Sequence, residues 1–379
     1  MPLFVGPSRL RYWELNRIRR YLGTGLSFLR SRLVTRKPFW LAHSATYACN
    51  SRCRTCTIWK MSRLAHRDMS TKRVFALLER AHAFGMRGYY LFGGEPLLRR
   101  DVPEILEHAK TLGFVTTINT NASLLEKKAE SITNDLDFAC VSIDYPDDHN
   151  DYIRGRRGAF REVIRGTKRL LELGKTRVTF VCTVSRLNLD KVEAMASLAQ
   201  NLGVGISYNA VEPTWLSGYD TGRTESVVEE NGLTDCELRD LYRELLKLKR
   251  RGYPLMESEL VLRDYACRRP FKCHFPKIFV YVSPEGRIFP CTTRYGMAGA
   301  NLDDISFEEY FSSRAYREPA KRMEKCNICV RTCVRMYAYS YSLHPLHMLG
   351  LAGSAPFRSF FSNHQGNRAE QWFQRELFE

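Results

Sequence analysis

The sequence predicts an α/β protein: a partial (β/α)6 TIM barrel followed by a small extension built from a β-hairpin and a helix. Two observations carry this. Six short apolar runs, at 41–48, 89–93, 115–119, 138–143, 177–184 and 205–209, alternate with amphipathic helical stretches. Several of those stretches end at a glycine, namely Gly85, Gly113, Gly174 and Gly203, as helix C-termini do. Strand–helix alternation of this kind implies a parallel sheet with helices outside it, and six units in place of eight imply an open barrel.

Taken in order, the chain opens with a basic, apolar segment. Residues 1–40 hold nine Lys or Arg against the single acid Glu14. Residues 8–34 read as one or two amphipathic helices, broken near Gly23-Thr-Gly25. Such a helix either lies in a membrane interface or packs on the barrel's open side. Asp101-Val-Pro-Glu104 starts a helix, with an acidic N-cap, Pro just inside and Glu at the third position. A helix over about 234–251 ends near Gly252. Ile278–Pro290 reads as a hairpin turning at Ser283-Pro-Glu-Gly286, and a helix is expected over about 306–323. The expected division is an N-terminal segment (1–40), the barrel (41–252), the extension (253–335) and an apolar tail (336–379).

Composition narrows the function classes. At 379 residues and 44% hydrophobic content a sizeable core is available. No run of about 18 apolar residues occurs, and the N-terminus lacks a signal-peptide core, so a cytoplasmic protein is expected, with peripheral contact at the inner face of a membrane. Twelve cysteines then argue for a reducing compartment and metal ligation. The balance of 58 Lys and Arg against 41 Asp and Glu, a net +17, suits nucleic acid, anionic lipid or a phosphorylated substrate.

The residues with chemistry fall after the strands, where βα barrels place their sites. Cys49, Cys53 and Cys56 follow the first strand with the spacing C-x3-C-x2-C. Three thiolates can hold three irons of a [4Fe–4S] cluster and leave the fourth open, although close cysteines also suit a zinc knuckle. Gly93-Gly94-Glu95-Pro96 follows the second strand, Thr120-Asn121 the third, Ser142 and Asp144 the fourth and Glu212 the sixth. With Val141-Ser-Ile-Asp144, His149 and Ile153-Arg154-Gly155, this combination resembles the radical S-adenosylmethionine (SAM) superfamily. That resemblance implies that the open iron chelates SAM, and that an electron from the cluster cleaves it to a 5′-deoxyadenosyl radical. It implies that the Gly93-Gly94 backbone and Glu95 meet the SAM amino group, with Thr120, Asn121 and Ser142 helping to hold SAM. A cationic ammonium wants acceptors, and glycine permits close backbone approach. Thr55 departs from the pattern, since the residue before the third cysteine is usually aromatic there. The adenine pocket would then draw on Ile58 or Trp59. Cys140 shares a strand face with Ser142 and is a candidate hydrogen-atom donor from the lumen wall; the alternative is a buried structural thiol.

A second cysteine set follows: Cys267, Cys273, Cys291, Cys326, Cys329 and Cys333. By spacing alone zinc is at least as well suited. The run C-x9–15-G-x4-C followed by C-x2-C resembles the SPASM and Twitch extensions of radical SAM enzymes. That implies one auxiliary [4Fe–4S] cluster on Cys273, Cys291, Cys326 and Cys329, with Cys267 or Cys333 as alternative ligands.

The expected function is therefore hydrogen-atom abstraction by a radical SAM enzyme. The two apolar ends suggest a lipid or isoprenoid substrate, and a peptide maturase is the alternative. A small-molecule, lipid or peptide substrate and an electron donor such as flavodoxin or ferredoxin are the expected partners. A zinc protein binding nucleic acid is the alternative of another class, but no RNA-binding module is visible. His344 and His347 in the tail are expected to pack or to be solvated.

Overall fold

The computed structural model describes residues 12–211, 231–291, 299–326, 329–344 and 347, the first seven of these by backbone alone. Six parallel strands form the barrel wall: β1 (Trp40–Ser44), β2 (Gly88–Phe92), β3 (Val115–Thr120), β4 (Phe138–Ser142), β5 (Arg177–Val184) and β6 (Gly205–Ala210). Each lies within a few residues of an apolar run in the sequence. Three further strands, β7 (Phe279–Val282), β8 (Arg287–Phe289) and β9 (Ala300–Asn301), continue the same sheet. The order is β6-β5-β4-β3-β2-β1-β7-β8-β9. β7 pairs in parallel with β1, Trp40 opposite Phe279. β8 returns antiparallel through the expected turn, where the Gly286 N–H donates to the Ser283 carbonyl at 3.0 Å.

Side-chain alternation divides the sheet into two faces. Leu41, Tyr89, Leu91, Ile118, Ala139, Val141, Phe180, Cys182, Ile206 and Tyr208 are buried and join one core with the outer helices. Their neighbours on β4, β5 and β6 are only half-buried, because they line the lumen. Strand β6 is closed at its edge: the Ile206 N–H donates to Pro254 O at 3.0 Å, and Met256 N–H to Ile206 O at 2.8 Å. Among the described residues no helix is long and apolar enough to cross a membrane.

Three local expectations are corrected. The first helix, α1 (Tyr12–Arg30), runs unbroken through Gly23 and Gly25. Its inner side is held against the barrel at several points, which outweighs the roughly 1 kcal/mol that each helical glycine costs. Arg20 meets Asp137 at 3.2 Å, the Thr24 hydroxyl sits 3.0 Å from Arg20 O and 3.3 Å from Arg87 O, and the Phe28 ring packs 5.7 Å from Phe39. Asp101 precedes its helix (Val102–Thr111) but makes no side-chain cap. Its carboxylate is taken by Arg99 at 2.9 and 2.6 Å and by the Thr71 hydroxyl at 2.7 Å. The stretch 306–323 is two helices, Phe307–Ser312 and Arg314–Met323. Ser313 is extended, and its side chain caps the second helix by accepting from the Tyr316 N–H.

The base of the barrel depends on Asp137. It is almost wholly buried, and its Oδ1 faces Arg20 and, at 3.0 Å, Lys110. Its Oδ2 accepts from the Thr116 N–H at 3.0 Å. Asp137→Ala strands two part-buried cations and is expected to cost about 3–5 kcal/mol, read as a lowered urea midpoint. A second prediction concerns acid. Burial, aided by the Arg99 cation, pushes the His43 imidazole from its ordinary 6.5 down to about 3. Only the unfolded chain then takes up a proton at that site between those values, so stability falls as pH drops through that window. His43→Gln, which can keep the 2.8 Å bond to the Tyr89 hydroxyl, should flatten the dependence of the thermal midpoint on pH below about 6.5.

Candidate active site

The loop after β1 carries Cys49, Cys53 and Cys56 and runs into a 3-10 helix, Ile58–Arg67. Its turns are closed locally. The Cys56 N–H donates to Cys53 O at 3.3 Å, the Trp59 indole N–H to Cys56 O at 2.9 Å, and the Cys49 N–H to the Ser62 hydroxyl at 3.2 Å. Burial pushes the Cys49 thiol up to about 11 and the Cys56 thiol up to about 12, and raises Cys53 despite the nearby Arg154 cation.

Two structures brace this loop. On one side the glycine turn after β2 presses against it. The Gly94 N–H donates to Thr46 O at 2.8 Å and the Glu95 N–H to Ala48 O at 2.7 Å. A Cβ on Gly94 would stand 2.1 Å from Ala48 O, and Gly93 adopts φ 145°, so both positions need glycine. The turn thus makes room for the backbone leading into Cys49. On the other side lies the segment after β4. A buried ion pair, Arg154 Nε to Asp144 at 2.9 Å, sets the guanidinium 4.0 Å from Cys53 Sγ. A Cβ on Gly155 would meet Arg52 O at 2.2 Å, and the Arg54 N–H donates to Ile153 O at 2.9 Å.

Glu95 joins the remaining candidates. It is fully buried, and its Oε1 accepts from the Thr120 hydroxyl at 2.7 Å and the Leu97 N–H at 3.0 Å. Its Oε2 accepts from the Asn121 N–H at 2.6 Å. Burial raises its pKa, and these three bonds oppose that. A carboxylate has about four acceptor positions, so one remains for a cationic ligand. Asn121 reaches back to the cysteine loop, its amide N–H groups meeting Asn50 Oδ1 at 2.9 Å and the Ser51 hydroxyl at 3.1 Å. Ser142 stands half-buried on the lumen face two residues beyond Cys140. Cys140 lies directly opposite Asn119 of β3, and burial, with nearby Cys333, pushes its thiol up to about 12. Glu212 lies outside the described residues.

The second cysteine set divides. Cys273 is buried, its thiol pushed up to about 12 by burial and then by nearby Cys291 and Cys326. Its N–H donates to Glu324 O at 3.3 Å. Cys329 packs on the same apolar cluster as Cys273. Cys333 belongs to that cluster too, but also neighbours Cys140 and Tyr90 at the lumen. Cys267 is exposed at the end of the helix Glu259–Ala266. His347 is buried between the hydroxyls of Ser258 and Ser340, at 2.8 and 2.9 Å.

Among the described residues, no three His, Cys, Asp or Glu side chains converge tightly enough for a single metal ion. Zinc needs its sulfurs about 2.3 Å from one point, whereas a cluster takes one sulfur on each iron. The first loop fits the cluster better: three soft thiols with no acid among them. Sequence reasoning noticed Arg154 and Gly155 but assigned them no role. Their signal is the run Ile153-Arg154-Gly155, whose meaning needs the loop it touches. The close fit at Gly94 yields a prediction. Gly94→Ala should displace the cysteine loop and sharply lower iron and sulfide content after anaerobic reconstitution, with far-ultraviolet circular dichroism unchanged.

Comparison with known proteins bears directly on this site. The radical SAM superfamily model matches residues 44–199, which span the cysteine loop, the glycine turn and the β4 segment. SuiB of Streptococcus suis, solved with its precursor peptide SuiA, is 16% identical with a TM-score of 0.59, covering 87% of this chain and 79% of that one. SuiB bound to SAM gives 17% and 0.60, over 84% and 77% of the two chains. The SAM-bound anSMEcpe gives 15% and 0.60, over 82% and 98%. At such identities the likeness to these structures is one of fold. The family match and the site geometry coincide on the same loops, and residues 44–199 carry a radical SAM superfamily domain.

Proposed function

We propose that this enzyme abstracts a hydrogen atom from a peptide substrate held in the barrel lumen. When bound, a [4Fe–4S] cluster and SAM supply the electron and the 5′-deoxyadenosyl radical that this chemistry requires. Cys49, Cys53 and Cys56 hold that cluster. Glu95, fixed by Thr120 and Asn121, offers its remaining acceptor position to the SAM ammonium, and the Gly93-Gly94 backbone borders it. Ser142 contributes a hydroxyl from the lumen face. A flavodoxin- or ferredoxin-like protein delivers the electron. Cys273, Cys291, Cys326 and Cys329 hold one auxiliary cluster, a set supported by the proximity of the first three. Cys140 keeps its proton at neutral pH and can give a hydrogen atom to a product radical.

One observation favours a peptide over a lipid. The lumen face carries Thr117, Asn119, Thr179, Thr183, Ser207 and Asn209, and Asn119 Oδ1 is buried without a hydrogen-bond partner. A peptide brings the N–H donor that this acceptor lacks; an isoprenoid chain does not. SuiB, solved with a peptide, is a fold-level parallel. The lipid substrate expected from the apolar ends draws no such support, since α1 lies at the opposite end of the strands from the cysteine loop.

Anaerobic reconstitution should give about eight irons per chain, and about four after Cys49, Cys53 and Cys56 are replaced by Ala. That variant should form no 5′-deoxyadenosine with SAM and reductant, whereas the loaded parent does. Cell extract split into peptide and organic-solvent fractions tests the substrate. The peptide fraction should raise 5′-deoxyadenosine formation, and stimulation confined to the lipid fraction would refute the peptide reading.

A further inference from the structure

From Arg20 onward, one face of α1 and of the π-helix Ser31–Thr35 that continues it is packed on the barrel. Arg20, Tyr21, Thr24, Phe28 and Ser31 point inward, to Asp137, Phe138, Arg87 O, Phe39 and Lys277 O respectively. Among the described residues the opposite face has no such partners. Leu22, Leu26, Leu29 and Leu33 recur at i, i+4, i+7 and i+11 and are 63%, 67%, 43% and 69% exposed, with Val34 beside them at 76%. Single exposed leucines are ordinary, but a contiguous stripe marks an interaction surface. Exposed Arg19, Arg30 and Arg36 border it. From Leu15 to Arg67 the sequence contains twelve Lys or Arg and no Asp or Glu.

We propose that the outer face of α1 docks on an anionic membrane surface. The leucines enter the boundary between headgroups and acyl chains, and the arginines meet lipid phosphates. Charge decides the occupant. A second copy of this chain would set arginine against arginine, with Glu14 the single carboxylate of α1 to set against them. An anionic bilayer supplies the missing charge over a continuous plane. The geometry also fixes orientation. Helix α1 crosses the N-terminal ends of the strands, at Arg87, Asp137 and Phe39, whereas Cys49, Glu95, Thr120 and Ser142 stand at the C-terminal ends. The enzyme would therefore sit base-down on the lipid, its mouth open to water. This does not depend on the reaction proposed above.

Flotation of the full chain tests it, with phosphatidylcholine vesicles and with vesicles containing about one-third phosphatidylglycerol. The chain should float with the anionic vesicles and not with the neutral ones. Leu22→Ser, Leu26→Ser and Leu29→Ser together should lower the bound fraction about tenfold, as should high salt, while 5′-deoxyadenosine formation in solution is kept. Failure to float with anionic vesicles would overturn the proposal, and so would equal flotation of the triple variant. A dimer in gel filtration that the triple variant lacks would assign the stripe to a second copy instead.

Discussion

The site depends on one buried carboxylate. Glu95 sits at the end of β2 with no exposure to water, and an isolated charge there would be costly. Three donors offset that cost, two of them from the end of β3. The same contacts fix the relative height of β2 and β3 and, through Asn121, the first turn of the cysteine loop. Three donors thus hold the Glu95 carboxylate in one fixed position at the end of β2. In the reading proposed above, an ammonium ligand would meet an acceptor already in place, with little left to reorganise on binding.

A second brace, opposite in character, steadies the other flank. There the charge is Arg154, neutralised by Asp144 and placed beside Cys53. Between a buried anion and a buried ion pair, burial raises all three thiols above the ordinary cysteine range, outweighing the nearby guanidinium. A cluster bound by these sulfurs as thiolates would expel their protons, which would couple its assembly to pH.

How much of this could be read from the sequence follows from where the information is local. The six barrel strands are legible because a strand covered by helices is an apolar run, and glycine marks where several of the helices stop. The strand-end placement of Cys49, Glu95, Thr120 and Ser142 follows from those runs directly. What the sequence hides is long-range. Nothing near Gly23 or Gly25 announces that Asp137 and Phe39 will hold the helix continuous. Asp101 looks like a cap because the bidentate claim of Arg99 on it appears only when the turn after β2 folds. Ser313 divides the helix expected over 306–323, because its backbone is extended and its side chain caps the second helix. Likewise the approach of Cys333 to Cys140 depends on how the extension docks and not on spacing.

The parallel pairing of β7 with β1 has a consequence for how such a protein can be cut or recombined. β1 is the strand from which the cysteine loop departs, and its outer row of backbone groups is satisfied by Phe279–Val282. A chain ending near residue 252 would leave that row bare, as an adhesive edge next to the cysteine loop. The extension is thus not a removable appendage: it seals the barrel's first strand, and an insertion or fusion that pries it away should expose the catalytic half to edge-to-edge aggregation before it alters any chemistry.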